Sequence, residues 1–218
     1  DVFKVRRRSQ RKLGVVTDDE SMLYRDYVLQ IARLCREHDD FRRTRVVRLA
    51  RRQGSAFAIR EALAQARTPF VLIVPHDCVI ARPVRLEAVA GAMQAPPERI
   101  HYAKLLGPST TKYADAVLSQ YGVRLQPTTE FGSKLCLLPK LRYMDNVALV
   151  SVRYLEEEVF VDGTGVRRGT FIEDTFGKHF QMQAWLDSAD FVANIPPRNG
   201  CFLLTDDGTS LGEPMMRH

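Results

Sequence analysis

The chain predicts an α/β fold, a mixed and mostly parallel sheet flanked by helices, and three observations carry that expectation. Short apolar runs alternate with amphipathic helical stretches through the first half of the chain. The run Phe70 to Val74 contains no polar residue, as a strand covered on both faces requires. Two of the runs end in acids, Asp18-Asp19 after Val16 and His76-Asp77 after Val74. In open α/β sheets ligands bind outside the carboxyl ends of the strands, so these acids mark the expected site.

Taken in order, Leu13 to Thr17 reads as a short buried strand. Thr17 and Glu20 have capping-box spacing, and Tyr24, Tyr27, Val28, Ile31, Leu34 and Cys35 recur on one helical face until His38-Asp39-Asp40 ends it. Val46 to Leu49 is a second predicted strand. Gly54-Ser55 opens a helix whose Ile59, Ala62, Leu63 and Ala66 fall at i, i+3, i+4 and i+7, and Thr68-Pro69 ends it before the Phe70 strand. After Pro83, residues Leu86, Val89, Ala90 and Met93 share a face of a third helix that Pro96-Pro97 closes. The rest is less regular. Ile100 to Leu106, Leu135 to Leu138 and Val147 to Val152 read as strands, and Tyr113 to Tyr121 and Thr175 to Phe180 as short helices. Cys201 to Leu204 leads into Asp207-Gly208, a hairpin signal. No repeat or low-complexity tract interrupts the pattern, and 218 residues suit a single domain with a sizeable core.

The net charge of +6 gathers early, in Arg6-Arg7-Arg8, Arg11-Lys12, Arg42-Arg43 and Arg51-Arg52. Such a balance suits an anionic partner or simply a solvated basic surface. Cys35, Cys78, Cys136 and Cys201 lie far apart with no C-x-x-C pair and no His at a zinc spacing, so thiols and no structural metal are expected. No stretch has the length or apolarity of a membrane span or a signal peptide. Free thiols favour a cytoplasmic location; an anchor segment ahead of residue 1 would make the Golgi lumen the alternative, and membrane association stays open.

A carboxylate at a strand's carboxyl end can hold a hard divalent cation, which neutralises diphosphate oxygens, and an acid elsewhere on that edge can accept hydrogen bonds from a ribose or base. Either acid could equally serve a turn or a helix N-cap. A third candidate is "GTGVRRGTFIEDTFGKHF", residues 163 to 180, where glycines precede Glu173-Asp174. An acid pair at a loop-to-helix junction offers a general base, although an acidic first turn is also favoured by the helix dipole.

The order of "VVTDDES", "RRQGSAFAIREALAQARTPFVLIVPHDC" and "FIEDTFGKHF" resembles the GT-A fold glycosyltransferases, close to the large inverting family-two-like group that includes cellulose, chitin and hyaluronan synthases. The resemblance implies a nucleotide-diphosphate-sugar donor, a hydroxyl acceptor on a glycan, lipid or protein, and Mn²⁺ or Mg²⁺. It matches Asp18 and Asp19 to the acids that recognise the nucleoside. Gly54 and Arg60 are the implied nucleotide-binding positions in the segment that stands where the group has N-x-G...A-x-N-x-A. Pro75 takes the place of the first Asp of a D-x-D motif, His76 the middle and Asp77 the second, so that Asp77, with His76 assisting, is the implied metal ligand. Asp174, in x-E-D, matches the base that deprotonates the acceptor, and Glu173 would orient the acceptor or the base. His218 matches a late His that completes the metal site, and Trp185 and the stretch Arg142 to Asn146 fall near the acceptor by analogy. The group's opening strand, of the type "vsviIPtyN", has no counterpart before Val15, so the sheet is expected to lack its first strand and to leave an edge uncovered.

Three alternatives stay open. A sugar-phosphate nucleotidyltransferase shares the sheet, but Gly54-Ser55 is sparse for its triphosphate loop. A nucleic-acid module would interleave aromatics with the basic clusters, and the opening has only Phe3, so no nucleic-acid partner is expected. The fold could also persist with catalysis impaired, because Pro75 breaks the metal motif.

Overall fold

A computed structural model describes residues 4–6, 13–15, 17–50, 53–96, 100–129, 134–183, 199–209 and 213–217. The chain divides into two compact units, Asp1–Gln53 and Gly54–His218. In the first, strands β1 (Lys4–Arg6) and β2 (Leu13–Val15) pair antiparallel. Helix α1 (Asp18–Glu37) starts where the capping box predicts: Glu20 N–H donates to Thr17 Oγ1 at 3.2 Å and Thr17 N–H to Glu20 Oε2 at 2.9 Å. His38 ends it in extended backbone. The strand expected at Val46 to Leu49 does not form. Residues 44–49 join no ladder, and Val46 and Val47 are exposed. Four residues with three apolar side chains make a strand only where a neighbouring strand supplies the hydrogen bonds.

The second unit is built on a five-stranded sheet in the order β3-β7-β5-β8-β6: β3 (Phe70–Ile73), β5 (Tyr102–Leu105), β6 (Cys136–Pro139), β7 (Ala148–Ser151) and β8 (Cys201–Asp206). The mixed sheet flanked by helices is as predicted, but only β5 and β8 run parallel, and the other three pairings are antiparallel. An apolar run reports cover on both faces and is silent on strand direction, so the expected parallel majority gives way to an antiparallel one. The Phe70 strand itself lies at the edge of this sheet, half-buried, with Val74 exposed beyond it.

Alternation along the inner strands divides the core. Ala103, Leu105, Leu149, Phe202 and Leu204 face helix α3 (Leu86–Gln94), which buries Val89, Ala92 and Met93. Tyr102, Ala148, Val150 and Cys201 face the opposite layer. That layer contains α2 (Ser55–Leu63), α5 (Val152–Tyr154) with the wide turn Leu155–Val159, and α6 (Glu173–Gln181), a wide helix with i→i−5 bonds. Helix α4 (Tyr113–Tyr121) covers the β6 end through Val117 and stops at Gly122, whose φ of 70° gives the left-handed C-terminal cap.

The predicted hairpin after Cys201 to Leu204 is not made. Instead Asp207 turns into the core, where its carboxylate accepts from Thr209 Oγ1 at 2.6 Å, from the Arg85 N–H at 3.0 Å and from Arg82 Nη1 at 3.1 Å. The chain then runs on to β9 (Met216–Arg217), which pairs with β4 (Val79–Ile80). Burial alone would raise the Asp207 carboxyl, but the Thr209 hydroxyl, the Arg85 N–H and Arg82 together hold it below the usual carboxylate range. Its contribution to stability is therefore present at neutral pH and lost on acidification. Asp207→Asn is expected to cost about 3 kcal/mol in urea unfolding at pH 7, with the difference shrinking as the pH falls below about 4, where the unfolded chain's carboxyl takes up its proton while the native one, held lower, still resists.

Candidate active site

The rim at the carboxyl ends of β3 and β5 is also the amino end of β7, because Ile73 pairs with Ala148 and Lys104 pairs with the same Ala148. Three segments meet there. The first is the turn Pro75 to Cys78, closed by the Cys78 N–H donating to the Pro75 carbonyl at 3.0 Å, which leaves His76 and Asp77 exposed at its tip. The second is the approach to β7, residues 142–146. The third is the start of α6.

The second and third segments are clasped reciprocally. The Glu173 N–H donates to Asp145 Oδ2 at 3.0 Å, and the Asp145 N–H donates to Glu173 Oε2 at 3.2 Å. Arg142 Nη1 adds an ion pair to Glu173 Oε1 at 3.2 Å. Further along α6, Gln181 Oε1 accepts from the Tyr143 N–H at 2.6 Å, while its amide nitrogen donates to the Tyr154 hydroxyl at 2.7 Å. Gly177 lies between them, its backbone packed on the Tyr143 carbonyl with no room for a Cβ. Glu173, Gly177 and Gln181, every fourth residue of one helix, thus hold a single strand approach in place. Glu173 is spent on this clasp, and Asp174 beside it stays exposed.

The first segment joins the others through Cys78. Its Sγ lies 3.7 Å from Asp77 Oδ1 and 4.0 Å from Asn146 Oδ1, and Asn146 follows Asp145. Asp77 and Glu173-Asp174 are therefore connected, contact by contact, at one end of the sheet. The electrostatics of this rim are uneven. Burial pushes the Asp145 carboxyl up to about 6; the charges of Glu173 and Asp174 add to the rise, while the Glu173 N–H opposes it. Two buried polar atoms at this floor, Asp145 Oδ1 and Lys104 Nζ, have no hydrogen-bond partner among the described residues. Lys140, also fully buried, lies 2.9 Å from Met144 Sδ and 4.2 Å from the centre of the Tyr113 ring; burial lowers its pKa to about 7, and the charge of Lys104 adds to the fall.

The other expected site residues fall as follows. Gly54, at φ 80°, caps α2, and a Cβ there would stand 2.7 Å from the Gly169 Cα, so α2 starts in contact with the glycine loop; the Ala56 N–H donates to the Thr170 carbonyl at 3.4 Å. Arg60 lies 5.5 Å over the Phe57 ring and lines a cleft of about 520 Å³ with Gly163, Gly165, Thr175 and His179. Asp18 and Asp19 belong to the first unit, as exposed first-turn residues of α1. His218 and Trp185 lie outside the described residues. However, Arg217, next to His218, pairs with Val79, two residues past Asp77.

Among the described residues no three His, Cys, Asp or Glu side chains gather as a metal cluster. One exposed carboxylate beside an imidazole fits an ion that arrives with a diphosphate, for which one or two carboxylates suffice, rather than a cage built from protein ligands alone.

The sequence profile described as glycosyl transferase family 2 matches residues 5–157, well over half of the chain. The chain belongs to that family. No curated protein and no solved structure matches it. Glycosyl transfer is thus the general chemistry of this glycosyltransferase, in keeping with its mixed α/β fold. The matched span takes in the Asp77 turn and the 142–146 segment but ends before Glu173. For the glycosyltransferase's acid pair the local evidence is the clasp itself.

Sequence reasoning missed Lys104, Gly177 and Gln181 as parts of this site, and reached Asp145 only as one of the stretch Arg142 to Asn146 placed near the acceptor by resemblance. The signal for Lys104 was present in "HYAKLL": alternation puts Tyr102 and Lys104 on one covered face, where a lysine has no ordinary reason to be. Asp145 and Gln181 carry no such local signal.

Two stability measurements probe the clasp. Gly177→Ala must force α6 off the Tyr143 carbonyl and is expected to cost about 1–3 kcal/mol in chemical denaturation. A carboxyl whose folded pKa is raised binds a proton that the unfolded chain releases, so the Asp145 contribution is greatest below about pH 4 and declines toward pH 6. Asp145→Asn, which keeps an acceptor for the Glu173 N–H, should abolish that decline and be about 1–2 kcal/mol more stable than the native chain at pH 8.

Proposed function

We propose that this glycosyltransferase moves a sugar from a nucleotide-diphosphate sugar to a hydroxyl acceptor with inversion at the anomeric carbon. The observation that carries the reading is the continuous contact from Asp77 through Cys78, Asn146 and Asp145 to Glu173-Asp174, which supports a rim where donor and acceptor meet.

In this reading Asp174, the acid left exposed by the clasp, accepts the proton of the acceptor hydroxyl as its oxygen attacks the anomeric carbon. The bond from that carbon to the phosphate oxygen breaks and the nucleoside diphosphate leaves. With one base and no protein nucleophile between the partners, the displacement is single, hence the inversion. Glu173, held by Arg142 and the Asp145 N–H, fixes the first turn of α6 and so the position of its neighbour. A divalent cation, Mn²⁺ or Mg²⁺, would supply charge neutralisation of the leaving diphosphate. Asp77 would hold it with His76, and His218 is the third candidate ligand. Within the second unit, Gly54 and Arg60 are assigned to the nucleotide. The acceptor class is a glycan, lipid or protein hydroxyl. No disulfide joins the cysteines and no described helix is long and apolar enough to cross a membrane, and a cytoplasmic setting is proposed from the thiols.

A panel of nucleotide sugars with Mn²⁺ or Mg²⁺, followed by nucleoside diphosphate release, tests the reading. Asp77→Ala and Asp174→Ala are each expected to lower turnover by about 100-fold or more with unchanged thermal melting. Unchanged turnover in both would remove the assignment. Nucleoside diphosphate binding with no turnover of any donor would favour the impaired enzyme that Pro75 suggests.

A further inference from the structure

Lys104 lies in the middle of the sheet, flanked by Ala148 on β7 and Leu203 on β8, with no exposed surface. Its Nζ makes no hydrogen bond among the described residues. An unpaired buried ammonium opposes folding, and an apolar side chain of similar volume would serve the sheet better. Nothing in the packing of β5 accounts for the amine.

Its surroundings do. Lys104 is paired to Ala148, the first residue of β7 and two past Asn146 of the rim, and the thiol of Cys78, the charge of Glu173 and the like charge of Lys140 all bear on it. Burial lowers its pKa to about 8, with Cys78 and Glu173 acting against the fall, which leaves the amine charged at neutral pH. Cys78 touches both Asp77 and Asn146 above it. The buried cation thus belongs to the same sheet end as the rim, its strand paired to the Ala148 that also pairs with Ile73, four residues before Asp77, where Pro75 leaves Asp77 as the lone carboxylate of its turn.

We propose that Lys104 is a positioning residue of the donor subsite, a fixed positive charge beneath the Asp77–Asn146 rim that strengthens the hold on a nucleoside diphosphate without touching it. The inference rests on the donor reading above. A charge fixed in a medium of low dielectric acts over a few ångströms with little screening, and it offsets the phosphates where the P-H-D turn can recruit less metal than two carboxylates would.

The test is calorimetric titration, at neutral pH in EDTA, with uridine, guanosine and thymidine diphosphates and, separately, the matching nucleosides. Lys104→Met is expected to melt at or above the native temperature, to bind the diphosphate about tenfold more weakly, and to bind the nucleoside unchanged. Lys104→Gln should show the same split of affinities and serves if the Met variant does not fold. A purely structural lysine would weaken nucleoside and diphosphate alike, and that result, or an unchanged diphosphate affinity, would overturn the proposal. If the native chain binds none of these ligands, the donor reading falls first and Lys104 with it; if the native chain binds them and the variants bind equally well, only the Lys104 assignment falls.

Discussion

The reciprocal bonding of Asp145 and Glu173 is the constraint on which the site depends. Each residue donates its backbone N–H to the other's carboxylate, so neither partner can move without the other losing a charge-assisted hydrogen bond, each worth about 1.5–3 kcal/mol. The clasp joins α6 to the approach of β7, two segments that the sheet's hydrogen bonds do not connect. It also decides which acid is available: Glu173 has both carboxylate oxygens engaged, and Asp174 is the one left to solvent.

The clasp has an electrostatic cost that the rest of the rim is arranged to meet. Asp145, Glu173 and Asp174 crowd negative charge into a half-buried space, and the Asp145 carboxyl, raised chiefly by burial and further by those two charges, registers the cost. Arg142 answers it at the surface through Glu173, and Lys104 and Lys140 answer it from beneath. All three cations are supplied by β5 or by the segment after β6, elements whose other residues are apolar and packed. The sheet therefore carries the charges inward at fixed positions, which is what a site built on strands can do and one built on loops cannot.

Much of this was legible in the chain. The capping box of α1, the start of α2 at Gly54-Ser55 and the bounds of α4 were read from local sequence, because such signals act within a few residues, whereas α2 stops at Leu63, short of the Thr68-Pro69 breaker expected to end it. Asp77 and Glu173-Asp174 were singled out because strand ends and helix starts are where chemistry collects, and the fold brings their segments to one end of the sheet. What local pattern could not carry was pairing. Strand direction, the failure of Val46 to Leu49 to join a ladder, and the choice of β4 over β8 as the partner of β9 are set by residues far apart in the chain. Asp207 illustrates the point: read alone with Gly208 it is a turn, and it is Arg85 and Arg82, far earlier in the chain, that together with Thr209 make it a buried anchor.

The same distinction bears on why the P-H-D turn need not be a defect. A metal motif is judged locally, by counting carboxylates, and on that count the turn is one short. Charge compensation for a diphosphate is a property of the whole rim, however, and the field there sums every fixed charge within a Debye length, weighted toward those that water does not screen. A buried lysine contributes more to that sum than an exposed one, and it is reached through tertiary structure that no motif records. On the proposal that Lys104 backs the donor subsite, the single carboxylate of the turn and the buried amine of β5 would be two halves of one electrostatic arrangement, a cation held in the sheet standing in for a ligand absent from the surface.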